Sequence, residues 1–263
     1  MKTITACLAM ALAVIACHVS YADWNSTIAS SNPLNWYRFD ELSGSTAFDY
    51  GTEQRDGTYG TGVIDATRGI AGRVGLAAQF GDQSTVFLSA PDIVGDWSAE
   101  FVLMRTGSKR SSVLIRGIPF AFPSGALKLE QFNNTHQVGY TKFGIIDATF
   151  SPSVTAPLNE WTLLTYVNRQ SDNSISLYVD GALAATRTDN LNLSRDQIGS
   201  WSDTIPESPL AIMDEVILYN RALSAAEITA HFAAIPEPSC FSLFGLALAA
   251  LACRRSGDLG MRQ

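Results

Sequence analysis

The sequence predicts an all-β sandwich closed by a short C-terminal helix, on three observations. The first is strict alternation. Ile175, Leu177 and Val179 are interleaved with Ser176, Tyr178 and Asp180, the pattern of a strand buried on one face. The second is the Asp180-Gly181 pair that follows, because a two-residue hairpin turn wants positive φ at both positions. The run Ala182–Thr186 then supplies the returning strand. The third is the number and spacing of further short runs between Gly, Ser, Asn and Asp, which reads as a sandwich or jelly roll. These runs are Leu34–Phe39, Gly75–Phe80, Thr85–Leu88, Ala99–Arg105, Ser112–Arg116, Leu127–Phe132, Gly139–Phe143, Thr162–Asn168 and Met213–Tyr219. The helix is marked by Ser224 three residues before Glu227, a capping box, with Leu223, Ile228 and Phe232 as its apolar contacts and Pro236 as its stop.

The two ends read differently from the body. Lys2, the apolar run Ile4–Cys17 and the small residues Ser20 and Ala22 describe a secretory signal peptide cut after Ala22. That run falls short of the about 20 residues a permanent membrane helix needs. Val14-Ile15-Ala16-Cys17 offers a rival route through a lipoprotein box. At the other end Pro236-Glu237-Pro238 precedes an apolar stretch, Phe241–Cys253, and then Arg254-Arg255, which the positive-inside rule keeps cytoplasmic. This order resembles the PEP-CTERM sorting signal. The resemblance implies recognition at Pro236, Glu237 and Pro238 by an exosortase, transient anchoring in the membrane, and Arg254 and Arg255 as the stop. The chain departs from that pattern in continuing from Ser256 to Gln263. The organisation expected is therefore a signal peptide over 1–22, a jelly-roll domain over 23–235 and a sorting and anchor segment over 236–263.

Charge and cysteine usage exclude several functions. The net charge is −7 and no basic cluster exceeds Lys109-Arg110, so nothing neutralises a nucleic-acid backbone. Cys7 and Cys17 lie in the leader and Cys240 and Cys253 in the tail, so the body has no thiolate site and no disulfide to staple it.

Within the body, Trp36-Tyr37-Arg38-Phe39-Asp40-Glu41, Asp56-Gly57-Thr58-Tyr59, Ala78-Gln79-Phe80-Gly81-Asp82, Glu160-Trp161-Thr162 and Leu177-Tyr178-Val179-Asp180-Gly181 occur in order. They are followed by Met213-Asp214-Glu215-Val216-Ile217-Leu218-Tyr219-Asn220-Arg221-Ala222-Leu223-Ser224. Together these resemble LamG-like domains of the laminin-G/concanavalin A-like jelly roll. The resemblance implies that fold and, through relatives that hold calcium, a structural Ca2+ between Asp49 and Asp214 near Gly51. The competing role for the two carboxylates is to cap a turn and to accept backbone N–H groups.

Catalytic patterns are sparse. Asp40-Glu41 and Asp214-Glu215 are adjacent pairs, expected to face opposite sides of a sheet rather than to act together. His136 with Tyr140 is the one lyase-like pair, and His231 falls on the terminal helix. No Gly-x-Ser-x-Gly elbow or His-Glu-x-x-His helix occurs. For sugar stacking, Trp36, Trp97 and Trp161 are expected in the core. Trp201, in a polar loop, is the exposed platform, followed by Tyr140 and Asn134. The function expected is an exported, non-catalytic binding module for polysaccharide or surface protein, at the cell envelope, outer surface or extracellular matrix. A structural matrix component without small ligand, or a divergent polysaccharide-active enzyme, are the alternatives.

Overall fold

The structure, a computed structural model, describes residues 23–60, 62–63, 67–117, 125–133, 135–200 and 206–236. Ala22, Asn134, Trp201, Glu237, Pro238, Arg254 and Arg255 lie outside them; Pro236 lies within and is buried. In chain order the elements open with α1 (Asp23–Ser30), β1 (Asn35–Tyr37), β2 (Thr46–Ala47), β3 (Gly57–Tyr59), β4 (Ile70–Ala71), β5 (Leu76–Phe80) and β6 (Thr85–Ile93). They continue with β7 (Trp97–Arg105), β8 (Ser112–Arg116), β9 (Gly125–Glu130), β10 (Gly139–Lys142), β11 (Ile146–Thr149) and β12 (Trp161–Arg169). The last are β13 (Ser174–Val179), β14 (Ala182–Thr188), β15 (Leu193–Gly199), β16 (Ala211–Tyr219) and α2 (Ala225–Ala234).

Among the described residues these strands form two antiparallel eight-stranded sheets. The first runs β14-β13-β12-β7-β16-β5-β4, with β1 also on β16, and the second runs β11-β10-β9-β8-β15-β6-β3-β2. The jelly-roll sandwich expected from the sequence is what forms. Its core lies between the sheets, where Phe39, Phe80, Trp97, Phe101, Leu114, Leu127, Tyr140, Tyr166, Leu177 and Val216 interdigitate. A second apolar layer covers the outer side of the first sheet, where Trp24 and Ile28 of α1 and Ile228 of α2 pack on Trp36, Val102, Ile217 and Tyr219. That layer needs α1, which the sequence reading did not include. Among the described residues no helix is long and apolar enough to cross a membrane.

Local chemistry explains most element ends. Asp180 (φ 49°) and Gly181 (φ 80°) both take the positive φ that the β13–β14 turn demands. Thr85–Ile93 is longer than expected because Pro91 falls where pairing with β15 is irregular, the register passing from Arg195↔Ala90 to Leu193↔Ile93. A bulge in β16 corrects one expectation. The register steps from Met213↔Leu103 to Glu215↔Val102, leaving Asp214 as the extra residue. Asp214 and Glu215 therefore do not diverge; both are fully buried and both feel Arg38 and Asp40. Glu215 accepts from the indole N–H groups of Trp24 and Trp36.

The capping box of α2 is formed: Ser224 Oγ accepts from Glu227 N, and the Glu227 carboxylate accepts from Ser224 N at 2.9 Å. The Arg221 guanidinium at 2.7 Å, helped by Ser224, pulls the Glu227 carboxyl from its ordinary 4.5 down to about 2. A depressed folded-state pKa gives stability that is present above the ordinary value and is lost as pH falls. Amide exchange in α2 should therefore accelerate between pH about 4.5 and about 2 relative to the sheets, and Glu227→Gln should remove that acid step. Equal acceleration in both proteins would contradict the linkage.

Candidate ligand-binding groove

Strand β9 shows how the outer side of the second sheet becomes a site. Leu127 and Leu129 point into the inter-sheet core, so Lys128 and Glu130 must point outward. Both are nevertheless buried, at 4% and 1% exposure. A charge taken from water needs partners, and each has them. Lys128 Nζ donates to Ser111 Oγ at 2.8 Å and to Glu207 Oε2 at 3.2 Å. Glu130 is held by Arg105 Nη1 at 3.1 Å and by the Lys109 backbone N–H at 2.9 Å. Burial pulls the Lys128 ammonium below its ordinary value, and Glu207 opposes that shift.

Over Lys128 opens a groove of about 440 Å3. Its far wall is the β10–β11 hairpin, whose three-residue turn Phe143-Gly144-Ile145 has Gly144 at φ +74° and closes through Ile145 N to Lys142 O at 2.9 Å. Thr141 and Asp147 lie on the groove side of that hairpin, Oγ1 donating to Oδ1 at 2.7 Å. Phe132 and Ile145 form exposed apolar rims. The Phe143 ring is steadied by the Arg116 guanidinium 5.5 Å from its centroid. The result is a shallow surface with apolar faces beside an ammonium, a hydroxyl and an exposed carboxylate, the composition that suits a hydroxyl-rich ligand with apolar C–H faces.

The groove is poorly equipped for glycoside hydrolysis. A general acid would be a carboxyl pushed up by an apolar setting and open to substrate. Among the described residues burial pushes up the carboxyls of Asp92, Asp180, Asp214 and Glu215, and none of the four lines this groove. Glu207 is instead committed to Lys128.

The residues expected from the sequence fall in different places. Tyr140, expected exposed, is fully buried. The alternation of β10 turns it inward against Phe150, and its hydroxyl donates to Asp189 Oδ2 at 2.7 Å. The pairing of His136 with Tyr140 is likewise absent, since His136 Nδ1 instead meets Glu130 Oε1 at 3.2 Å. Trp36 and Trp97 are core, as expected, and Trp161 is partly buried at its edge. Asp49 and Asp214 have no hydrogen-bond partner in common. Asp49 accepts four N–H groups, from Asn35 Nδ2, Trp36 N, Gly51 N and Arg55 N, all within 2.8 Å. Asp214 Oδ2 accepts from Val74 N at 2.6 Å. Calcium wants about six to eight oxygens; among the described residues no three His, Cys, Asp or Glu side chains gather for a metal. Missed from sequence were Lys128, Thr141, Phe143, Asp147 and Glu207, which meet through the pairing of β9, β10 and β11 and through the segment before β16 that carries Glu207; the three-residue Gly144 turn was the available signal.

Two antiparallel sheets in this strand order define the class of concanavalin A-like sandwiches. The laminin-G family model described as the concanavalin A-like lectin/glucanases superfamily matches residues 80–229, more than half of the chain, and the chain belongs to that superfamily. None of the curated proteins compared matches it in sequence. Among solved structures, domain 4 of AbnA, a GH43 extracellular arabinanase from Geobacillus stearothermophilus in complex with arabinotriose, is 17% identical with a TM-score of 0.55, covering 76% of this chain and 98% of that one. A Trypanosoma rangeli sialidase mutant displaying trans-sialidase activity is 16% identical with a TM-score of 0.53, covering 78% of this chain. The match takes in 33% of that enzyme, so the chain spans about a third of the sialidases it resembles. The botulinum neurotoxin type G receptor binding domain is 13% identical with a TM-score of 0.50, covering 76% of this chain and 51% of that one. At these identities the likeness is one of fold.

Proposed function

We propose that this chain is an exported glycan-binding module whose groove over β9–β11 binds without catalysing. The observation that carries the reading is the groove itself: half-buried Phe143 beside exposed Asp147, on a floor built around buried Lys128 and its ion-pair partner Glu207. The arabinanase domain, bound to arabinotriose and matched over nearly its whole length, supports a self-sufficient domain of this size as a sugar binder. Export is supported by the leader ending at Ala22. The segment Pro236-Glu237-Pro238 with Arg254-Arg255 supports release or anchoring at the cell surface by an exosortase. Polysaccharide of the envelope or matrix is the partner class these features favour.

The test is a glycan array and polysaccharide affinity gel. Phe143→Ala and Asp147→Ala should each weaken binding about tenfold, as loss of a stacking face or a central hydrogen bond does. Tyr140→Phe should leave binding unchanged because its hydroxyl serves Asp189. Binding that ignores both groove substitutions would sink the assignment.

A further inference from the structure

On the opposite side of the sandwich, three residues far apart in sequence form a line of hydrogen bonds. Glu100 rises from the outer face of β7, fully buried under α2. Its Oε2 lies 2.8 Å from His231 Nδ1 on α2 and accepts from the Tyr219 hydroxyl at 3.3 Å, while its Oε1 accepts from Thr165 Oγ1 at 3.1 Å. His231, 1% exposed, is stacked on the Tyr219 ring, which fixes the imidazole plane. Its Nε2 lies 2.8 Å from Ser31 Oγ, just past the end of α1. A carboxylate that accepts from Nδ1 fixes the proton there and leaves Nε2 as the acceptor facing the serine hydroxyl. Ser31 Oγ also lies 3.1 Å from Thr27 O.

The line ends in an opening. Ser31 and His231 line a cavity of about 590 Å3 together with Thr27, Asn220, Arg221 and Glu227. Arg221 Nη2 sits 3.0 Å from Ser31 O and 2.7 Å from Glu227 Oε1, which brings a guanidinium to the nucleophile's side. If the three residues served only to strap α1 onto α2, apolar side chains would do so at lower desolvation cost. Instead a buried carboxylate orients a buried imidazole towards a hydroxyl at the mouth of a cavity.

From this geometry we infer that Ser31, His231 and Glu100 form a hydrolytic site for small carboxylic esters, separate from the glycan groove. Ser31 Oγ attacks the ester carbonyl carbon while His231 Nε2 takes its proton. The carbon–oxygen bond to the alcohol breaks, and the imidazolium returns the proton to the departing alkoxide. Water, deprotonated by the same nitrogen, then adds to the acyl-serine, and the bond to Ser31 breaks to release the acid as the imidazolium returns that proton to Ser31 Oγ. Ester and water become acid and alcohol, with no other reactant. Arg221 is the donor placed to offset charge on the carbonyl oxygen. Glu100 is a positioning residue, setting the tautomer.

The probe is a fluorophosphonate, which labels a serine only when a base activates it, with hydrolysis of p-nitrophenyl acetate as the second readout. The purified protein should take up one equivalent on Ser31, located by peptide mass spectrometry, and Ser31→Ala should take up none. His231→Phe should slow labelling about 10²-fold or more, the usual worth of a general base. Glu100→Gln, which can still accept from Nδ1, should slow labelling while its melting temperature stays near that of the parent; a strap alone would leave the rate untouched. No label on the parent protein, label at another residue, or equal rates in the parent and Glu100→Gln would each overturn the assignment. Ser31→Ala lies at a half-buried edge, so its folding is not at issue.

Discussion

Replacing Asp49 by alanine is expected to destabilise the protein by about 3–5 kcal/mol, with the midpoint of chemical denaturation falling and its slope unchanged. The carboxylate does more than cap a turn. Its Oδ1 receives Trp36 N at 2.7 Å and Gly51 N at 2.8 Å, and its Oδ2 receives Asn35 Nδ2 and Arg55 N, each at 2.8 Å. It therefore ties the loop 49–55 to β1, which itself pairs with the central strand β16. The loop presses close, since a Cβ at Gly51 would meet Leu34 O at 2.5 Å. Alanine leaves buried N–H groups without acceptors, each costing about 1–3 kcal/mol, partly recovered where water enters at the sheet edge. Asparagine keeps one acceptor oxygen and should lose roughly half as much. Because the oxygens are committed to N–H groups, calcium and chelator should give the parent protein the same melting temperature. A calcium-dependent rise that vanishes in Asp49→Asn would overturn this picture of the loop.

Arg195→Met is the second large effect, again about 3–5 kcal/mol, the usual cost of removing one partner from a buried pair. Arg195, 3% exposed on β15, reaches from the second sheet to the first. Its Nη1 donates to Asn35 Oδ1 at 2.6 Å and to Glu53 Oε2 at 2.5 Å, while Nε donates to Pro91 O at 2.8 Å. Burial alone would raise the Glu53 carboxyl, but Arg195 and Asn35 together hold it below its ordinary 4.5. The sign follows: this stability is present above pH about 4.5 and is lost as pH falls through the lower folded-state value. Thermal melts from pH 7 to 3 should show a steep acid limb in the parent and a flatter one in Arg195→Met. Parallel curves would mean that the pair contributes little.

The sequence spoke most clearly where local chemistry decides. The Asp180-Gly181 turn, the Ser224/Glu227 capping box and the burial of Trp36 and Trp97 all follow from short-range rules, and all are present. It spoke poorly where packing decides. Asp23–Ser30 is a short helix, too short to persist on propensity alone, and it is held by Trp24 and Ile28 against the sheet. Asp214 and Glu215 come together because of a bulge that no residue type announces. Tyr140 turns inward because alternation along β10 is counted from partners on β9, which the residue's own polar neighbours do not reveal. The groove draws on residues from Lys128 to Glu207, and the line from Glu100 through His231 to Ser31 spans the whole domain. Sites of this kind are assembled by strand order, so single-residue reading passes over them.

The assignment of the groove is tested most directly by backbone amide NMR of the protein titrated with the strongest oligosaccharide from the glycan array. Chemical-shift changes concentrated at Phe132, Thr141–Asp147 and Lys128, with those around Ser31, His231 and Tyr140 Oη's partner Asp189 unmoved, are what the account predicts. Changes centred on the helices or on the outer strands β13 and β14, with the β10–β11 hairpin silent, would contradict it.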